Sequence, residues 1–154
     1  MLISKTGVSS IHYFVMNGKL LENDDLHYEV EIYKNGELTD QKLGSYGEIQ
    51  KSFKDTLLSF GVNDLTTSSN KHFLDILAGQ PGGLMSSSKE HEMTAWGLSS
   101  MIDNKVTLVK DEPLYLAAWV GTTKETFQSG YDDIQSMIKN NELTIVYKIT
   151  LVDS

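Results

Sequence analysis

The chain's four histidines are the side chains best suited to hold a metal or move a proton, and their spacing sets what chemistry is open to them. His72 and His91 flank a glycine-rich stretch, with Asp75, Glu90 and Glu92 close by in sequence. If that stretch folds back, imidazoles and carboxylates converge, which is the ligand set of a zinc site or the base and orienting group of a hydrolase. Zinc sites usually carry tighter local pairs than this, and scattered surface histidine is the commoner outcome. His12 and His27 fall in separate expected strands and could meet across a sheet, but no third ligand is spaced to join them. No cofactor and no metal are expected, with the His72/Asp75/His91 region as the alternative for a metal-dependent or hydrolytic protein.

Ser86, Ser87 and Ser88 precede His91 and invite a nucleophile-base reading, but the Gly-x-Ser-x-Gly elbow that would expose such a serine is absent. Three serines after a glycine pair more often make a mobile loop. Gly79-Gln80-Pro81-Gly82-Gly83 is no phosphate cradle, lacking both the Gly-Lys-Ser/Thr ending and Gly-x-Gly-x-x-Gly. Asp24-Asp25, Asp111-Glu112 and Asp132-Asp133 lack the alternating ligands of a calcium loop and read as turns and a helix start. With no Cys there is no disulfide, thiol nucleophile or thiolate metal site. All thirteen basic residues are Lys, so no planar guanidinium fork is available for carboxylates or phosphates.

A formal charge of −8 and a pI near 4.9 repel a phosphate backbone, and no basic stripe offsets this, which argues against nucleic acid. No run of ~18 apolar residues is present to span a membrane. Met1 to Ser10 holds one Lys and no apolar core of signal-peptide length, which fits a cytosolic protein or one whose export signal has been removed. At 154 residues the chain fits one domain, 1–154, with material for a single core.

The elements that would position these residues are mostly strands. Pro113 to Gly121 is apolar on both faces, with Leu114, Leu116, Ala118 and Val120 on one and Tyr115, Ala117 and Trp119 on the other. It reads as a buried central strand. Ile11 to Met16, Asn17-Gly18 and Lys19 to Leu21 read as a first hairpin with a type I′ turn. Leu26 to Tyr33 alternates as a half-buried strand, Asn35-Gly36 turns it, and Glu37 to Leu43 reads as a charged edge strand. Tyr46 to Val62 is ambiguous between two short strands, closing at the turn residues Asn63 and Asp64, and a helix over Glu48 to Phe60. Lys71 to Ala78 carries Phe73, Ile76 and Leu77 and breaks at Gly79, opening a long loop through Ser88. Met93 to Ile102 and Lys105 to Lys110 flank Asp103-Asn104, a plausible hairpin connection. Ser129 starts a short helix, with Asp132 three residues on and an apolar face of Tyr131, Ile134, Met137 and Ile138, ending at Asn140-Asn141. Leu143 to Val152 is a long alternating strand. About nine strands and one helix predict an all-β, antiparallel, immunoglobulin-like β-sandwich with one short helix near the C-terminus, and Trp96 and Trp119 as core anchors.

The order in the last third, from Lys105 to Val152, is hairpin, Asp-Glu-Pro-Leu-Tyr-Leu-Ala-Ala-Trp-Val-Gly, acidic-capped helix and terminal strand. It resembles uncharacterised secreted lipoprotein domains of Gram-positive bacteria with immunoglobulin-like folds. The resemblance implies a cell-surface location and lipid anchoring of the precursor through an upstream Cys. It carries over no functional residue. The expected function is a non-enzymatic extracellular binding or interaction module for an unknown protein or surface ligand, using loops at one sandwich end. The loop singled out comprises Gly79, Gln80, Pro81, Gly82, Gly83, Ser86, Ser87 and Ser88. A cytosolic acidic inhibitor or immunity-type protein is a further alternative, with a basic target.

Overall fold

Period-two alternation builds two antiparallel sheets whose apolar faces meet. The computed structural model describes residues 1–6, 11–44, 50–66, 68–124 and 133–153. The strands are β1 (Leu2–Thr6), β2 (His12–Lys19), β3 (Asp24–Lys34), β4 (Glu37–Leu43), β5 (Ser52–Thr66), β6 (His72–Gln80), β7 (Gly83–His91), β8 (Ala95–Ser100), β9 (Val106–Thr107), β10 (Leu114–Thr122) and β11 (Leu143–Asp153), with helix α1 (Ile134–Asn140) before the last. The first sheet runs β7-β6-β5-β2-β1-β9 and the second β4-β3-β11-β10-β8. This is the expected antiparallel β-sandwich with one short helix near the C-terminus. Phe14, Leu58, Phe60, Leu74 and Ile76 from the first sheet meet Tyr28, Leu116, Trp119, Ile145 and Tyr147 from the second, all fully buried. Each such side chain contributes roughly 1.5–3 kcal/mol relative to exposure.

The apolar stretch at 113–121 is indeed the buried strand β10, held between β11 and β8. Its faces differ from simple alternation. A bulge between Tyr115 and Ala117 leaves Leu116 as an extra residue opposite β11, so Leu116, Ala117 and Trp119 all join the inter-sheet core. Ala118 and Val120 instead face outward, where Met137 of α1 and Val146 cover them. The helix starts where Asp133 accepts the Ser136 N–H at 2.7 Å and ends where Asn141 Nδ2 donates to the Met137 carbonyl at 2.8 Å. The expected start at Ser129, with Tyr131 and Asp132, lies outside the described residues.

That covering layer also corrects the half-buried reading of β3. Leu26, Tyr28, Val30 and Ile32 face the core as expected, but Glu29 and Glu31 on the other face are buried too. Lys148 of β11 lies 3.2 Å from Glu31 and 3.9 Å from Glu29, Gln41 of β4 donates to Glu29, and the Tyr33 hydroxyl donates to Glu31 at 3.0 Å. Burial and the Glu31 carboxylate together push the Tyr33 phenol above its ordinary range. Charges on this face are thus paired within the sheet rather than solvated.

Asn35 and Gly36, with φ of 51° and 86°, form the expected type I′ turn, and β4 is the exposed edge strand. Asn17-Gly18 is no turn: β2 runs through it. Opposite them, β5 bulges at Lys54-Asp55, where Asp55 has φ of 49° and its N–H donates to Asn17 Oδ1 at 2.8 Å. Gly18, at φ 138°, lets the Met1 backbone approach to 3.0 Å of where a Cβ would stand. The 52–66 region is one 15-residue strand rather than a helix or two strands, because the bulge absorbs the break in alternation. Asp103-Asn104 is a crossover between sheets, since β8 belongs to the second and β9 to the first.

Candidate functional site

The stretch 79–88, expected as a long loop, is a tight hairpin. Gln80 pairs with Gly83, so the turn is only Pro81-Gly82, with Pro pre-setting its φ and Gly82 taking φ of 77°. Ser86, Ser87 and Ser88 lie within β7. Ser87 shares the inner face with buried Met85 and His91, while Ser86 and Ser88 point to the outer face. The hairpin is tied down beside its turn: the Tyr147 hydroxyl donates to the Gly79 carbonyl at 2.9 Å, and Gln80 Nε2 donates to the Gly44 carbonyl at 2.7 Å.

β7 is an edge of the first sheet and β4 an edge of the second beside it, and among the described residues no further strand pairs with either. Between them opens a groove of about 600 Å³. Its floor is apolar, made by Val30, Ile32, Ile76 and Met85, and its walls are Asp40 to Lys42 and Ser86 to Glu90. Asp40 and Lys42 stand opposite Ile32 and Val30 in register, so they project toward the groove and not away from it. Inward-pointing charge on an edge strand guards against indiscriminate pairing of that edge. Lys42 Nζ donates to the Ser86 carbonyl, linking the two walls. A two-residue turn closes on a hydrogen-bonded pair, so Gly83, Met85, Ser87 and Lys89 spend their backbone groups on β6. The N–H and C=O groups of Leu84, Ser86, Ser88 and Glu90 therefore face the free edge, in agreement with the Lys42 contact at Ser86.

At the far end of β7 the two histidines converge as the spacing allowed. His72 and His91 are directly opposite in register, with ring centroids 5.9 Å apart. Asp75 does not join them: three residues along β6, it lies on the opposite face. The carboxylate that does is Asp64 of β5, read from sequence as a turn residue. Asp64 Oδ1 is 2.5 Å from His91 Nε2, and Oδ2 is 3.8 Å from His72 Nδ1, which also contacts Thr66 Oγ1 at 3.2 Å. The His91 side chain is 1% exposed, edge-on to both Trp96 and Trp119. Trp119 is the expected core anchor, whereas Trp96, at 38% exposure, stacks over it at 6.3 Å as a lid on the sandwich rim.

This arrangement restricts the chemistry. His91 Nδ1 accepts the Met93 N–H at 3.1 Å, which fixes the proton on Nε2, where it is donated to Asp64. Neither nitrogen is left to take a proton from a nucleophile. Ser87 is four residues away along the strand, roughly 13 Å, and Ser86 and Ser88 are on the other face. Among the described residues, no three His, Asp or Glu side chains are grouped to hold a metal ion. His12 and His27 lie in different sheets and do not meet across one. Compared with protein-family models, with curated proteins and with solved structures, the chain matches none.

Proposed function

We propose that this domain is a non-enzymatic binding module that takes an extended peptide segment of a partner protein into the groove between β4 and β7, as a strand added to the β7 edge. The observation that carries this reading is the combination of a β7 edge that no described strand pairs with and an apolar floor beside it. Backbone groups on the edge supply affinity without regard to sequence, and the floor selects apolar side chains at alternate positions of the guest. The serines at 86–88 suit this role, because short side chains leave the backbone approachable. Asp40, Lys42, Lys89 and Glu90 around the mouth fix direction and partner choice through charge. A cell-surface setting goes with this reading on the strength of the resemblance noted from sequence.

Selecting displayed peptides against the purified protein tests the proposal. The selected peptides are then measured against Ser87→Trp, which fills the groove, and Asp75→Ala, on the opposite face. Binding should weaken at least about tenfold on Ser87→Trp and on N-methylation of alternate peptide residues, and stay unchanged on Asp75→Ala. Peptides that bind Ser87→Trp as tightly as wild type would refute the site.

A further inference from the structure

We propose that His91 is a pH-operated latch on the corner that joins β7 to β8, closed when the imidazole is neutral and opened when Nδ1 gains a proton. This rests on the hydrogen bonding of the ring and not on the groove. In the closed state Nδ1 accepts from the Met93 N–H, and Nε2–H donates to Asp64. A proton on Nδ1 turns that acceptor into a donor and sets it against the Met93 N–H only 3.1 Å away. Two donors cannot share that line, so one of the groups must move.

The surroundings decide which. The ring is held by Asp64 on β5, whose attraction grows when the imidazole becomes cationic, and by the indoles of Trp96 on β8 and Trp119 on β10. Met93 and Thr94 are connecting chain, held further by the Thr94 N–H to the Thr122 carbonyl at 2.8 Å. The Met93 peptide, which lies outside any strand, is the group that yields, while the ring stays. The other titratable and charged groups around the site are His72 on β6, which shares Asp64, and Lys34, Lys89, Glu90, Glu92 and Glu142. These last five line, with His91 and Met93, a cavity of about 510 Å³ at the ends of β3 and β11. Release of Met93 widens that cavity and uncovers the indole pair, so acidification changes the surface at this end of the sandwich.

The test uses ¹⁵N-labelled full chain, following imidazole nitrogen shifts, amide exchange and far-ultraviolet circular dichroism from about pH 8 to about pH 5. His91 Nδ1 should pass from acceptor to protonated, with Met93 amide exchange rising about tenfold beyond its intrinsic pH dependence. Strand amides and the dichroism should not change. His91→Gln should abolish the step and His72→Ala should retain it. The latch is overturned if His91 stays neutral across the range, or if it titrates with Met93 still protected. It is equally overturned if the step survives in His91→Gln, or if Met93 loosens only as the whole fold unfolds.

Discussion

Replacing Tyr147 with Phe should destabilise the fold by about 1–2 kcal/mol, because its hydroxyl is a hydrogen bond spanning the interior from one sheet to the other. The phenol of β11 donates to the Gly79 carbonyl on β6 at 2.9 Å, and the ring stacks on Phe60 with centroids 5.8 Å apart. Phe keeps the stacked ring and creates no void, so the loss is one buried hydrogen bond plus the desolvation left on the carbonyl. In a domain of 154 residues, about 1 kcal/mol moves the midpoint by roughly 2–4 °C, so a fall of about 2–8 °C is expected. Tyr147→Ala removes the ring as well and should cost about 3–5 kcal/mol. Urea melts read by dichroism give both values, and an unchanged slope confirms that the unfolded state is not the cause. The alkaline limb is a second readout. Burial raises the Tyr147 phenol above its ordinary value of 10.0. Stability from the neutral phenol is complete below that ordinary value and is lost as pH climbs through it toward the raised folded value. Tyr147→Phe should therefore show a shallower alkaline loss than wild type, the remainder coming from Tyr33 and Tyr115, which shift the same way. A Phe variant within about 0.3 kcal/mol of wild type would refute the assigned bridge.

Gly121→Ala should cost about 1–3 kcal/mol, since the new Cβ would stand 2.7 Å from the Trp119 ring and 2.8 Å from Met93 Cγ; urea midpoints of the pair check this, and an equal midpoint would show the corner to be loosely packed. The acid limb should depend on Asp24 and Glu142. The Lys110 ammonium, then the Leu21 N–H, hold Asp24 below the usual carboxylate range, and the Thr123 N–H with the Thr122 and Thr123 hydroxyls does the same for Glu142. Depressed folded values mean stability present above the unfolded value and lost as pH falls below about 4, so Asp24→Asn and Glu142→Gln should flatten unfolding midpoints between about pH 5 and pH 2.5. Parallel curves for wild type and Asp24→Asn would contradict the assignment.

The parts of the fold legible in the sequence are those where burial imposes a regular period. β3, β11 and the apolar run of β10 announced themselves, as did Asn35-Gly36, whose two positive φ angles need those residue types. What misled were the places where a bulge or an edge breaks the pattern. Asn17-Gly18 has the chemistry of a turn but serves a bulge, its amide side chain satisfying the Asp55 N–H. The serines of β7 read as loop because an edge strand, open on one side, does not require apolar side chains at every inner position. At the histidine cluster, the facing of His72 and His91 followed from the glycine turn between them. Asp64 was missed because β5 continues past Val62, and Asp75 was misassigned because odd separation in a strand means opposite faces.

The bulge at Leu116 gives β10 an uneven tolerance to changes in length. Removing a residue from a buried central strand ordinarily inverts the facing of everything on one side of the cut. Here, excising Leu116 would restore plain alternation and leave Leu114, Ala117 and Trp119 facing in and Tyr115, Ala118 and Val120 facing out, at the expense of one buried leucine, roughly 2–3 kcal/mol. Excising Ala118 would instead throw half the strand out of phase. The strand can thus shed a residue at one point in its middle and still seal both of its faces.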